Sequence, residues 1–149
     1  DAKEGFLLYI PAYCLATIGI FAVLIKMSDY TFDGFNGFAR SQPLLAATTT
    51  IFLLSLAAIP LTAGFLSKFY MLRAAVDTHR NLWLVIFAVL MAAVSVYYYF
   101  RLIQAMYFRE GNVQKIQITP VFKWTMVVLA AAVVLLGIFP NLLLYWFYF

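Results

Sequence analysis

Between Pro43 and Leu72 the chain carries a single charge, Lys68, in thirty residues. A run of that length and apolarity is at home only in hydrocarbon, yet as one straight helix it would measure about 45 Å against a bilayer core of about 30 Å. Pro60 and Gly64 fall inside it. Proline removes a backbone N–H and clashes with the preceding turn, so the run is predicted to break between about Ser55 and Gly64. Gly64 is read as adding backbone freedom at the break. Non-helical backbone survives at membrane depth only where protein buries it or water lines it. The break therefore points to a polar interior path, with Thr62 and the run Thr48, Thr49, Thr50 offering hydroxyls to freed backbone groups or water.

Three further apolar segments flank this one, and together they predict an all-α integral membrane protein of about four spans, near residues 5–27, 43–72, 81–103 and 120–139. Hydrophobic residues make up 66% of the 149 and charged residues 11%, where a soluble domain carries about a quarter charged. Pro11 kinks the first span. The link "SDYTFDGFNGFARSQ" is the most polar part and is expected at the surface. Ser41 with Pro43, and Thr119 with Pro120, read as helix starts. Trp83 and the run Tyr97, Tyr98, Tyr99 read as the two aromatic belts of the third span. Arg101 beyond them reads as a snorkelling anchor, with a buried functional charge as the alternative. The tail "NLLLYWFYF" suits the interface.

Lys26, Arg40, Arg109, Lys115 and Lys123 fall on one side and Lys3, Arg73 and Arg80 on the other. The Lys and Arg excess then places the Arg73–Arg80 link and the N-terminus outside and the Arg109–Lys123 link inside. Scattered positives without a basic run give no support to nucleic-acid binding. The lone Cys14 and the lone His79, read as a solvated loop residue, supply no disulfide or metal site. All acidic residues lie outside the spans, and no phosphate loop or nucleophile–base set is present. The start "DAKEGF" lacks a basic n-region, which argues against a signal peptide and for a processed chain or a piece of something longer.

Lys68 has two readings. In one its stem snorkels to the headgroups beside Arg73. In the other it points into the bundle, among Phe65, Leu66, Phe69 and Leu72, where desolvation disfavours the ammonium and lets it cycle a proton. Because Arg73 already marks the membrane edge, the second is favoured.

The stretch "LLSLAAIPLTAGFLSKFYML" closely resembles the broken helix of the antiporter-like membrane subunits of respiratory complex I, the proton-pumping NADH-quinone oxidoreductase. "SVYYYFRLIQAMYF" resembles the next helix of subunit N, the mitochondrial subunit 2 equivalent, rather than of its sister subunits. The resemblance runs from about Phe6 onward and implies the last four helices of a fourteen-helix subunit built on inverted repeats. It implies that Lys68 is the proton relay ending the second half-channel. The partners implied are the other membrane-arm subunits, the lipid bilayer and the missing N-terminal part of the same subunit, in a bacterial cytoplasmic or mitochondrial inner membrane. No cofactor is expected in this chain; flavin, iron–sulfur clusters and quinone belong elsewhere in such a complex. A multisubunit sodium–proton antiporter subunit shares the motif, and a structural membrane subunit without transport is the remaining alternative.

Overall fold

The structure is a computed structural model that describes residues 2–78, 81–111, 113–114 and 116–147. All regular structure among them is helical: α1 (Ala2–Lys26), a 3-10 turn (Asp33–Phe35), α2 (Phe38–Ser41), α3 (Pro43–Leu56), α4 (Ala63–Asp77), α5 (Leu82–Phe108), α6 (Pro120–Ile138) and α7 (Asn141–Phe147). Three of these, α1, α5 and α6, are individually long and apolar enough to cross a membrane. The fourth crossing is divided between α3 and α4, with residues 57–62 non-helical between them.

One stripe on α1 explains how the two halves are held. Its buried positions are Gly5, Leu8, Ala12, Ala16, Gly19 and Val23, spaced three or four apart and mostly small, so neighbouring helices can approach closely. A Cβ at Gly19 would strike the Phe52 ring of α3, and one at Gly5 would lie 3.0 Å from the Met71 amide of α4. α3 and α4 thus pack in succession along α1, as two half-helices of one span. α6 closes the other side through Met126, Ala130, Val133 and Gly137. A Cβ at Gly137 would come within 2.5 Å of the Leu61 carbonyl, so this glycine lets the non-helical segment lie directly on α6.

The ends of α3 and α6 show how proline sets a helix start. Pro120 follows Thr119, whose hydroxyl accepts from the Phe122 amide at 3.3 Å, a side-chain cap. At Pro43 the expectation of a Ser41 cap is not met. Ser41 closes α2 and donates to the Phe38 carbonyl at 3.3 Å, leaving Gln42 before Pro43 without a side-chain cap bond.

The link after α1 is not simply a surface loop. Phe35 and Phe38 are 2% and 0% exposed, because their rings fill the core between α1, α3 and the end of α5. The polar residues beside them face the link between α5 and α6 instead. Gln114 accepts from the Ser28 amide and hydroxyl at 2.9 and 2.8 Å, and its amide nitrogen donates to the Asp29 and Gly34 carbonyls at 3.0 Å each. Arg40 meets Glu110 at 3.4 Å, and Lys26 lies over the Phe122 ring. Residues 28–42 and the described residues between α5 and α6 are therefore on one side, as alternating spans require. Lys115, His79 and Arg80 lie outside the described residues. Asp29 accepts from both the Thr31 hydroxyl and amide, which holds its carboxyl below the usual range. That turn is fully formed above the ordinary carboxylate pKa and is weakened as pH falls through the lowered one.

α3 ends in a Schellman motif. The Ile59 amide donates to Leu54 and the Ala58 amide to Ser55, at 3.0 and 3.1 Å, and Ala58 takes the left-handed conformation with φ 59°. Glycine usually occupies that position, because a Cβ there is disfavoured by about 1–2 kcal/mol. An Ala58→Gly substitution is expected to raise stability by about 0.5–1 kcal/mol, part of the gain being offset by the freer unfolded chain. Thermal unfolding of the variant in detergent or nanodiscs would check it; an unchanged or lowered midpoint would contradict the assignment.

Candidate functional site at the helix break

The last four carbonyls of a helix need partners from outside its own ladder. In α3 these are Leu53, Leu54, Ser55 and Leu56. The first three accept from the amides of Ala57, Ile59 and Ala58. The fourth would ordinarily accept from residue 60, and Pro60 has no N–H to give. Lys68 supplies the missing donor: its Nζ donates to the Leu56 carbonyl at 2.7 Å. Pro60 and Lys68 are thus the two sides of one arrangement. The proline vacates a carbonyl, and the lysine one turn into α4 fills the vacancy. An ammonium here also faces the negative end of the α3 dipole.

Gly64 and two serines lock the halves together. The Gly64 amide donates to the Ser55 hydroxyl at 3.2 Å, and the Ser67 hydroxyl donates to the Gly64 carbonyl at 3.0 Å. A Cβ on Gly64 would collide with the Ser55 carbonyl. The expectation that Gly64 contributes backbone freedom is therefore corrected. It sits within α4, and the left-handed residues of the break are Ala58 and Leu61. Glycine is needed at 64 for close approach.

The structure brings Lys68 and Gly64 to one cavity, while Pro60 and Thr62 lie in the non-helical segment and do not line it. The Thr62 hydroxyl donates to the Ile59 carbonyl at 2.7 Å, so it satisfies a backbone group inside the break. Thr48 and Thr49 bond instead to the Leu45 carbonyl, and Thr50 to that of Ala46. These three serve the first turns of α3, away from Lys68.

Beside the lysine lies a cavity of about 60 Å³, room for at least two waters at about 30 Å³ apiece. Besides Lys68, its polar lining comes from Ser55, Ser67, Tyr9, Tyr13 and Tyr99. Lys68 is half-buried beside these hydroxyls, and of the expected apolar neighbours Phe65, Leu66, Phe69 and Leu72 it is Phe69 that is turned outward. Tyr9 and Tyr13 stack at 5.6 Å on α1, and Tyr99 reaches in from α5. Sequence reasoning missed all three, along with Ser55 and Ser67. The serines had a readable signal, since both sit within a turn of Gly64 or the predicted break. Among the described residues no three His, Cys, Asp or Glu side chains gather as metal ligands, and Cys14 is exposed.

These features define a class: a multi-pass helical membrane protein whose discontinuous span presents a lysine to a small cavity bordered by hydroxyls. The sequence profile of the family described as NADH:quinone oxidoreductase/Mrp antiporter, TM matches residues 1–95, and the chain belongs to that family. NADH-quinone oxidoreductase subunit N of Bdellovibrio bacteriovorus is 44% identical over 143 residues, covering 90% of this chain and 29% of the relative. Subunit N of Cytophaga hutchinsonii is 39% identical, covering 97% and 32%. A chain of respiratory complex I from Thermus thermophilus, solved with bound aureothin, superposes with a TM-score of 0.86 at 28% identity, covering 97% of this chain and 34% of that one. This chain spans about a third of the length of the relatives it matches.

Proposed function

We propose that the chain supplies the C-terminal helices of a proton-translocating membrane subunit of NADH-quinone oxidoreductase, with Lys68 as its proton-relay group. The observation that carries this reading is the lysine's bond to the Leu56 carbonyl at the edge of the water-sized cavity. Among the described residues the ammonium is held by one carbonyl dipole and not by a carboxylate, so it can give up a proton without breaking an ion pair. The hydroxyls of Tyr9, Tyr13 and Tyr99 border the same space and provide steps along which waters can carry that proton. The subunit N relatives and the complex I structure support the same reading.

Other membrane-arm subunits and the rest of the same subunit complete the path. Electron transfer through flavin, iron–sulfur centres and quinone is assigned to partner subunits, so its energy reaches Lys68 through conformation or through a chain of charges and waters. The test is Lys68→Arg in the assembled complex. Arginine keeps the charge but releases its proton about a hundred- to a thousandfold less readily. The proton-to-electron ratio is expected to fall while assembly and NADH oxidation by a soluble acceptor hold. A wild-type ratio would overturn the relay assignment.

A further inference from the structure

We propose that Arg101 and Arg109 bind the phosphate of an anionic phospholipid on the outer face of α5. An open cavity of about 440 Å³ is lined by Tyr97, Phe100, Arg101, Gln104 and Arg109. Two cations enter this lining and no carboxylate does. Among the described residues, neither arginine has a carboxylate within salt-bridge distance, and Glu110, next to Arg109 in sequence, pairs with Arg40. The nearest acidic neighbour by sequence on the other link, Asp33, follows Phe32, whose ring holds the Arg101 guanidinium at 4.7 Å. That contact fixes one face of the guanidinium and leaves its edge N–H groups free to donate to an anion.

The height and the flank both suit a lipid. Arg101 follows the tyrosine belt of α5, and Arg109 caps the helix end eight residues on, about 12 Å along the axis. This is where headgroups meet the hydrocarbon edge. Going back along α5 from Arg101, the same face carries Tyr97, Val94, Leu90, Phe87 and Trp83, spaced three and four apart and all exposed. The stripe runs about 27 Å, close to the thickness of the hydrocarbon core. An acyl chain can lie along it while the phosphate sits between the two arginines and the Gln104 amide. A basic pocket at the headgroup level beside a lipid-length apolar stripe is the pattern expected of a specific anionic-lipid site.

The experiment is quantitative lipid mass spectrometry on the assembled complex purified in mild detergent. The Arg101→Gln/Arg109→Gln double variant is expected to retain about one fewer anionic phospholipid per complex than wild type, with the zwitterionic lipid count unchanged. Arg101→Lys/Arg109→Lys is expected to keep most of that lipid. Arg73→Gln, on the opposite side, serves as the control and is expected to keep all of it. Equal anionic lipid in wild type and the glutamine variant would overturn the proposal; that is also the outcome if a carboxylate of another protein segment fills the cavity. Loss of zwitterionic and anionic lipid in equal share would overturn it as well, since it would indicate apolar adhesion only. Added inorganic phosphate is expected to leave the bound lipid in place; displacement of the lipid by phosphate alone would identify free phosphate as the ligand and overturn the lipid assignment.

Discussion

Replacing Gly64 by alanine is expected to destabilise the chain, although alanine is the better helix former. Gly64 lies in the first turn of α4 with helical geometry, so propensity alone predicts that alanine stabilises by up to about 1 kcal/mol. The packing predicts the opposite sign. The added Cβ would occupy the space of the Ser55 carbonyl, a backbone group at the end of α3 that cannot swing aside as a flexible side chain would. Relieving the overlap means drawing α3 and α4 apart. That lengthens the Gly64–Ser55 hydrogen bond and disturbs the Ser67–Gly64 bond, both buried. Overpacking costs about 1–3 kcal/mol and each weakened buried hydrogen bond about 1 kcal/mol more, so a net loss of about 2–4 kcal/mol is expected. Valine adds two methyls and should prevent stable incorporation altogether. The measurement is the fraction of the chain recovered in the assembled complex, together with its thermal midpoint. A Gly64→Ala variant as stable as wild type, or more so, would return Gly64 to the role of a flexible hinge.

That contrast shows which parts of the molecule can be read from local chemistry. The discontinuous span was legible because both its causes are local: a run too long for the bilayer, and a proline with no N–H to give. The starting points at Pro43 and Pro120 were legible for the same reason. The use of Gly64 was not, because it depends on which atom lies opposite, and that atom belongs to a helix on the far side of the break. Lys68 could be singled out as the one charge in an apolar run, but its partner could not. Leu56 is twelve residues away, and only the course of the break through the left-handed Ala58 and Leu61 brings its carbonyl within reach. Tyr9, Tyr13 and Tyr99 come from two other helices and enter the site purely through tertiary packing. Likewise Phe35 and Phe38 lie in a link whose polar residues suggested solvent, whereas the core needed two large rings at that end. α5 was legible as a span, but its uniform apolarity concealed that only Ala105 and Met106 are buried.

The capping role of Lys68 and the proton-relay role proposed for it are separable through Pro60. Lys68→Met removes the donor that the described residues give the Leu56 carbonyl, and a half-buried carbonyl left unpaired costs about 1–2 kcal/mol, less if cavity water takes the place of the ammonium. Pro60→Ala changes that outcome. It restores an N–H at the position from which an uninterrupted α3 would satisfy Leu56, and it relieves the clash that prevents the helix from extending. In the Pro60→Ala background the Lys68→Met substitution is therefore expected to cost less, with an interaction energy of about 1 kcal/mol in a double-mutant cycle read from thermal midpoints. Costs that add to within about 0.3–0.5 kcal/mol would show that the lysine and the proline-vacated carbonyl are not linked. The same four proteins carry the functional comparison. A backbone amide can take over the hydrogen bond but cannot exchange a proton at a useful rate, so the double variant is expected to regain stability without regaining proton pumping. Recovery of both together would show that Lys68 acts only as the cap of α3 and that the relay lies elsewhere. Recovery of stability alone would assign the fold to the hydrogen bond and the pumping to the proton it holds.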